Sequence, residues 1–273
     1  MTYETLLVEK ADGVAVVTFN RPEKKNAMNP RLHDEMTAAL EALRYDDEAR
    51  VLVITGAGNA FCAGMDLKEV FHALKDQPAR YDRVIRTATE WRGRTLRYYP
   101  KPTIAMVNGF CFGGAFSIVE GCDLAIAAEE AVLGLSEINF KGFPGGSVSK
   151  SLANLLRPRD ALFYGLTGRP FSGKIAAAIG LVNYAVPLAH LREETLAVAR
   201  DIAGKDPAAL KAVKDGYRFA LEMSWEASMD YTAAKEDELT LAQRVGLKDE
   251  GVGDFVQGKF KPGLGGHEKI EKK

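Results

Sequence analysis

Cysteine is scarce in this chain, and the three present, Cys62, Cys111 and Cys122, fit neither a disulfide framework nor a zinc-ligand spacing. Histidine is as sparse: His33, His72, His190 and His267 are scattered, with no pair at metalloprotease spacing, so no metal is expected. No stretch approaches the roughly 20 apolar residues that a membrane span requires. The opening MTYETLLVEKADG carries acidic residues early and no long apolar run, so no signal peptide is expected. A formal net charge of -1 provides no field to recruit nucleic acid or an anionic membrane. These absences lead to the expectation of a soluble, cytoplasmic globular protein. Its 273 residues, 47% hydrophobic and 27% charged, suffice for one large α/β domain or a core with a helical appendage.

What is present has a clear order. TLLVEKA and VAVVTF are rich in β-branched residues and flank Asp12-Gly13, a dipeptide suited to a hairpin turn. Asn29-Pro30 reads as a helix N-cap followed by proline at the first helical position, and Leu32, Met36, Leu40 and Leu43 recur at helical spacing. VLVIT (51–55), TIAMV (103–107) and DLAIAA (123–128) are short continuous apolar runs of the kind buried on both faces. Helical stretches over Asp66–Leu74, Tyr81–Tyr98 and Gly114–Glu120 separate them, which predicts crossovers and a largely parallel sheet. Beyond residue 148 helices dominate (158–166, 173–179, 190–204, 207–222, 225–245), with LVNYAV (181–186) as a further strand. The expectation is an α/β core over 1–200 and a helical region over 201–273.

Three glycine-containing loops follow the buried strands: GAGNAFCAGMDLKE, NGFCFGGAFS and EEAVLGLSEINFKGFPGG. In a parallel sheet such loops gather where ligands bind, and glycine at a helix start exposes backbone N–H groups that can converge on negative charge. The pair Gly113-Gly114 is either such a donor site or a tight turn needed for packing. Gly64-Met65-Asp66 opens another helix and offers a second donor at Met65; two donors from separate loops are what an oxyanion requires. Glu137 sits among Leu133, Leu135, Ile138 and Phe140, company that desolvates a carboxylate and raises its pKa towards proton-transfer chemistry. The bland alternative is an exposed carboxylate at a strand edge. Ser117 lacks a GxSxG elbow and reads first as a helix serine bonding back to the backbone. Glu120 is a second carboxylate on the same helix face or a solvated surface group. Lys24, Lys25 and the pair Lys259 and Lys261 could meet phosphates or simply be solvated.

Together the loops resemble the crotonase (enoyl-CoA hydratase/isomerase) superfamily over nearly the whole chain. NRPEKKNAMN resembles its N-terminal signature, AFCAGMDLKE its AGxDLKE-type loop, and NGFCFGGAFSIVEGCDLAIA its oxyanion segment and following strand. GLSEINFKGFPGG resembles its second catalytic loop and TGRPFSGKIAAAIGLVNYAVP the approach to its C-terminal helices. The resemblance implies a spiral of repeated ββα units with a C-terminal helical region for trimerisation, as a trimer or dimer of trimers. It implies an acyl-CoA substrate, with no other cofactor. Met65 and Gly114 would supply the oxyanion N–H groups, and Lys24, Ala27, Ala63, Leu67 and Ser136 would line the CoA site. Lys259 and Lys261 would belong to a neighbouring subunit's CoA site.

One departure is informative. Hydratases of this superfamily place one glutamate in the oxyanion helix and another in the later loop; here the later one is Glu137, but the earlier position is Ser117. This single-glutamate pattern, with GMDLKE, GFCFGG and LSEIN, is most similar to the hydroxycinnamoyl-CoA (feruloyl-CoA) hydratase-lyases. The similarity implies Glu137 as acid and base, Ser117 as a positioning group, and an aromatic pocket involving Tyr231, Phe140 and Val70. The lyase pattern has tyrosine where this chain has Val70, and tryptophan where it has Phe140.

Overall fold

A computed structural model describes residues 2–243 and 252–258. Lys259 and Lys261 lie outside the described residues. The chain forms two compact units, Met1–Lys205 and Asp206–Lys273.

The first unit begins with β1 (Leu6–Ala11) and β2 (Val14–Phe19), an antiparallel hairpin closed by Asp12 and Gly13, both with positive φ (52° and 77°). That conformation favours the Asp-Gly dipeptide and matches the twist of the strands. Helix α1 (Pro30–Arg44) starts where the sequence predicts: the Asn29 side chain accepts from the Leu32 N–H at 2.9 Å, and Pro30 occupies the first turn. Leu32, Met36, Leu40 and Leu43 face inward.

A repeating unit then follows. β3 (Val51–Gly56), β5 (Thr103–Val107) and β7 (Leu124–Ala128) join β1, β2 and β10 (Tyr184–Val186) in a six-stranded sheet of order β1-β2-β3-β5-β7-β10. Apart from the first hairpin, its pairings are parallel. After each of β3, β5 and β7 the chain turns to add a short strand to a second sheet: β4 (Ala60–Cys62), β6 (Phe110–Phe112) and β8 (Val132–Gly134), with β9 (Phe171–Ser172) at its edge. Each coil of the spiral thus supplies one strand to each sheet before a helical segment. The sequence pattern predicts loop at these short strands, because three residues beside glycine carry too little periodicity to register. Their residues Phe61, Cys62, Cys111 and Leu133 are nevertheless fully buried.

The helical segments depart from ideal geometry around the loops. Leu67–His72 is π-helical, and α2 (Pro78–Glu90) runs into a second π segment, Trp91–Thr95. One α-helix over each stretch was expected; the wider π turn instead directs two consecutive residues, Trp91 and Arg92, into the interior. Such segments recur at functional sites. Helix α3 (Phe116–Gly121) follows a 3-10 turn at Gly113–Ala115 and is buried along its whole length. Glu137–Phe140 is another 3-10 turn, and α4 (Val148–Leu155), which no periodicity predicts, succeeds it. Helices α5 (Pro158–Thr167) and α6 (Gly173–Ala178) lead to β10, which takes only the last three residues of LVNYAV. Helix α7 (Leu188–Ala203) packs against β2, β3, β5 and β7, which is why the first unit extends to Lys205.

The second unit pairs α8 (Pro207–Ala220) with α9 (Trp225–Gln243). Asp206 caps α8 by accepting from the Ala209 N–H at 2.7 Å. Lys235 joins Asp215 and Glu238 in an ion-pair cluster between the two helices.

Candidate active site

The site is assembled from the chain ends of β2, β4, β6 and β8. After β2, residues 21–29 form a strap. Lys25 and Asn26 both adopt left-handed backbone angles (φ 49° and 56°). The Asn26 side chain secures this bend, accepting from the Arg21 N–H and donating to the carbonyls of Ala57 and Ala60. The strap pairs with the chain after β4: Ala63 N–H donates to Lys25 O at 2.9 Å, Met28 N–H to Gly64 O at 2.8 Å, and Asp66 N–H to Met28 O at 2.9 Å. Arg21 fastens both layers, donating to Ala27 O and pairing with Asp66 at 3.1 Å and Glu69 at 2.6 Å. Asp66 in turn caps the first π segment through the Lys68 and Glu69 N–H groups. Lys24, Ala27, Ala63 and Leu67, named from separate motifs, are thereby gathered on the two edges of one strap. Lys24 and Leu67 are exposed and the two alanines half-buried.

The two expected N–H donors lie on turns that approach each other at Gly64. Gly64 has φ +87°, and a Cβ there would come within 2.8 Å of Phe112 O and 3.2 Å of the Gly114 N–H nitrogen. Glycine at 64 therefore clears the approach to the Gly114 amide. Neither the Met65 nor the Gly114 N–H donates to another group among the described residues. Two unpartnered amides on neighbouring turns are the requirement for binding a developing oxyanion.

Glu137 opens the 3-10 turn after β8, and Lys141 closes it in the left-handed conformation (φ 61°). Ser136, half-buried, precedes it, with its carbonyl accepting from Asn139 N–H at 3.0 Å. The Glu137 carboxyl lies over the oxyanion turn: a Cβ on Gly113 would be 3.1 Å from its Oε1. Its other oxygen, Oε2, is buried without a hydrogen-bond partner. Burial raises the pKa above the ordinary glutamate value, opposed only by a hydrogen bond from its own backbone. The exposed-carboxylate alternative therefore fails.

Glu120 is also not solvated. It is buried, ion-paired with Arg97, and within hydrogen-bond distance of Ser151 Oγ and Asn154 Nδ2. A carboxylate so fully engaged ties α3 to α4 and has no proton-transfer capacity to spare. Ser117 has 1% exposure; its hydroxyl donates to Gly114 O at 2.7 Å and accepts from Arg92 Nη1 at 3.1 Å. It bonds back to the backbone, and by doing so holds the oxyanion turn.

Of the three residues expected in an aromatic pocket, Val70 is placed in the core instead. Phe140 is exposed at the end of the Glu137 turn, beside exposed Ile138 and Phe143. Val70 offers no surface: it packs with Leu74 and Val84 in a small satellite core that Met65, Tyr81 and Ile85 adjoin. An inward-facing position on a π turn takes a branched aliphatic side chain into the core. Tyr231 lies on α9 of the second unit, edge-on to Phe219 at 5.6 Å between ring centroids.

Arg92 was missed. Its residue type reads as surface in an amphipathic run, yet its side chain is buried against Gly114, Ser117 and Met65.

A family model described as enoyl-CoA hydratase/isomerase matches residues 9–259. The chain belongs to this family. It is 48% identical over 264 residues to a hydroxycinnamoyl-CoA hydratase-lyase from Pseudomonas fluorescens, covering 96% of each chain. Its fold resembles an enoyl-CoA hydratase from Geobacillus kaustophilus (TM-score 0.85, 31% identity, covering 97% of this chain and 99% of that one). It also resembles one from Mycobacterium smegmatis (TM-score 0.86, 27% identity, 93% and 97% covered). The crotonase-type spiral expected from the motifs is the fold found. In this chain the Met65 and Gly114 amides lie on neighbouring turns, with the Glu137 carboxyl against Gly113.

Proposed function

We propose that this crotonase-family protein hydrates 4-hydroxycinnamoyl-CoA thioesters and then cleaves the hydrated product to an aromatic aldehyde and acetyl-CoA. The similarity to the Pseudomonas fluorescens hydratase-lyase supports the reaction class. The observation that carries it is the division of labour between two carboxylates. Glu137 keeps a buried, unpartnered oxygen at the oxyanion turn, whereas Glu120 is consumed by Arg97, Ser151 and Asn154. One carboxyl group must then serve every proton transfer.

The chemistry balances with one such group. With the thioester oxygen between the Met65 and Gly114 amides, Glu137 takes a proton from water as its oxygen bonds to the β-carbon, and returns it to the α-carbon of the enolate. In the second step Glu137 takes the β-hydroxyl proton, the bond between the α- and β-carbons breaks, and the aldehyde leaves. The electron pair becomes the enolate of acetyl-CoA, held by the same two amides until Glu137 protonates it. An electron-releasing para-hydroxyl weakens the bond that breaks. Desolvation of Glu137 suits both directions of transfer, since a raised pKa brings acid and base forms closer in free energy at neutral pH. The exposed strap edge bearing Lys24 and Leu67 suits the CoA moiety, and Phe140 with Ile138 offers an apolar surface near the carboxyl. Self-association as a trimer or dimer of trimers would cover the exposed apolar residues Leu162, Phe163 and Leu166 of α5.

The test is incubation of purified protein with feruloyl-CoA, following loss of the conjugated thioester and release of vanillin and acetyl-CoA. Product formation abolished by Glu137→Ala supports the proposal. Hydration of crotonyl-CoA with feruloyl-CoA left intact overturns the substrate assignment while leaving the oxyanion site in place.

A further inference from the structure

A buried cation, Arg92, sits behind the oxyanion hole with no ion-pair partner among the described residues. Arg92 is 9% exposed and forms no ion pair among the described residues. Its Nε donates to Ala88 O at 3.0 Å, which fixes the side chain to its own helix. Nη1 donates to Gly114 O at 2.8 Å and Ser117 Oγ at 3.1 Å, and Nη2 lies 3.8 Å from Met65 Sδ. One guanidinium therefore touches both residues whose N–H groups face the thioester site. A Cβ on Gly114 would fall 2.6 Å from Nη1, so glycine at this position makes room for Arg92 as much as for a ligand.

Buried charges are ordinarily paired, because an isolated ion loses its hydration without return. Removing Arg92 from water disfavours its charged form and brings its pKa down to about 10, still protonated at neutral pH. An unpaired cation is best tolerated where a negative charge arrives during the work of the protein. The enolate oxygen between Met65 and Gly114 is such a charge, and a fixed dipole or ion aimed at it stabilises the transition state more than the neutral substrate.

We propose that Arg92 is the positioning residue of this oxyanion hole, clamping the Gly114 turn and Met65 and placing an uncompensated positive charge behind the thioester oxygen. This rests on the reading of Met65 and Gly114 as oxyanion donors, and not on the identity of the aromatic substrate.

The groups facing Arg92 allow the charge to be tested by titration. They are His33 of α1 and Cys62 of β4; Glu120 of α3 is held by Arg97, and Glu137 lies against the adjacent Gly113. His33 is held down to about 3 and Cys62 up to about 12, both through burial, so neither changes charge between about pH 5 and 9. With Glu137→Gln in the background, turnover is slowed enough to observe bound thioester, and the carboxyl over Gly113 is removed.

The probe is unsubstituted cinnamoyl-CoA, whose conjugated thioester absorbs further to the red when its carbonyl is polarised. The expected result is a red shift on binding to E137Q, diminished in E137Q/R92Q with comparable affinity, and retained at neutral pH in E137Q/R92K. In the lysine variant the shift should fade as pH rises, because a buried lysine deprotonates more readily than arginine. In the otherwise native enzyme R92Q should lower kcat by about 10- to 100-fold, less than loss of an oxyanion donor itself, with KM changed much less. An equal red shift in E137Q/R92Q, or a pH-independent shift in E137Q/R92K, overturns the proposal. Should R92Q fail to fold, the lysine titration alone decides it. Absence of any red shift in E137Q overturns the oxyanion reading and this proposal together. A full set of Arg92 effects with no cleavage of feruloyl-CoA overturns the substrate assignment alone.

Discussion

The carboxyl of Glu137 rests directly on the backbone of Gly113, close enough that a Cβ there would stand 3.1 Å from Oε1. Gly113 has φ +54°, so a side chain would be strained by the backbone as well as crowded by the carboxyl. Gly113→Ala is expected to cost about 1–2 kcal/mol of stability from the left-handed backbone. Because the displaced group is the proposed acid and base, kcat should fall by about 100-fold, a loss typical of small misplacements in an active site. Thermal melts and steady-state kinetics on the same preparation separate the two effects; full activity would show that Glu137 works from elsewhere.

Glu137→Gln should reduce turnover by about 10²- to 10⁴-fold, the usual contribution of a general acid–base group. Burial raises the pKa of this carboxyl, so the folded protein binds a proton more tightly than the unfolded chain and loses stability as pH rises through that range. The uncharged variant escapes this, and its Tm at neutral pH should exceed that of the parent. The parent's kcat/KM for hydration should fall on acidification at a pH above the ordinary glutamate value, since hydration begins from the carboxylate. A variant of equal activity, or of lower Tm, contradicts the assigned role.

His33 gives the molecule an acid-sensitive core. Its Nδ1 accepts from the Trp91 indole N–H at 3.0 Å, which leaves the proton on Nε2, buried without a partner. Burial and the nearby Arg92 charge lower its pKa to about 3. Between that value and the unfolded value near 6.5 the unfolded chain binds the extra proton, so stability is complete above about pH 6.5 and declines below it. His33→Asn, which can still accept from an indole N–H, should flatten the acid limb of a Tm–pH profile. An unchanged profile would place the acid sensitivity in other groups.

Glu120 is expected to be structural. Replacing it by alanine leaves Arg97 largely buried without its partner, at a cost of about 3 kcal/mol. At a temperature where E120A remains folded, its kcat should stay within about threefold of the parent, as for a residue distant from the chemistry. A loss of several orders of magnitude would make Glu120 a second catalytic carboxylate.

Local signals carried much of the fold. The Asp12-Gly13 turn, the Asn29-Pro30 cap and the apolar runs at 51–55, 103–107 and 123–128 each act through backbone angles or burial of adjacent residues, which a linear sequence displays. Glycines at 64, 113 and 114 and the carboxyl at 137 were marked for the same reason: their chemistry is unusual for their surroundings. The motif order also indicated the family. What the chain could not display locally is which charges end up inside. Arg92 and Glu120 have the composition of surface residues, and only the π turn at 91–95 and the packing of α3 against α4 bury them. The fate of Val70 was likewise settled by a neighbouring helix, through Val84. Propensity and pattern fix where the chain bends and which faces are apolar. Beyond their own helices, the partners of Arg92 and Glu120 come from residues 22 to 34 positions away, and only the folded chain brings them together.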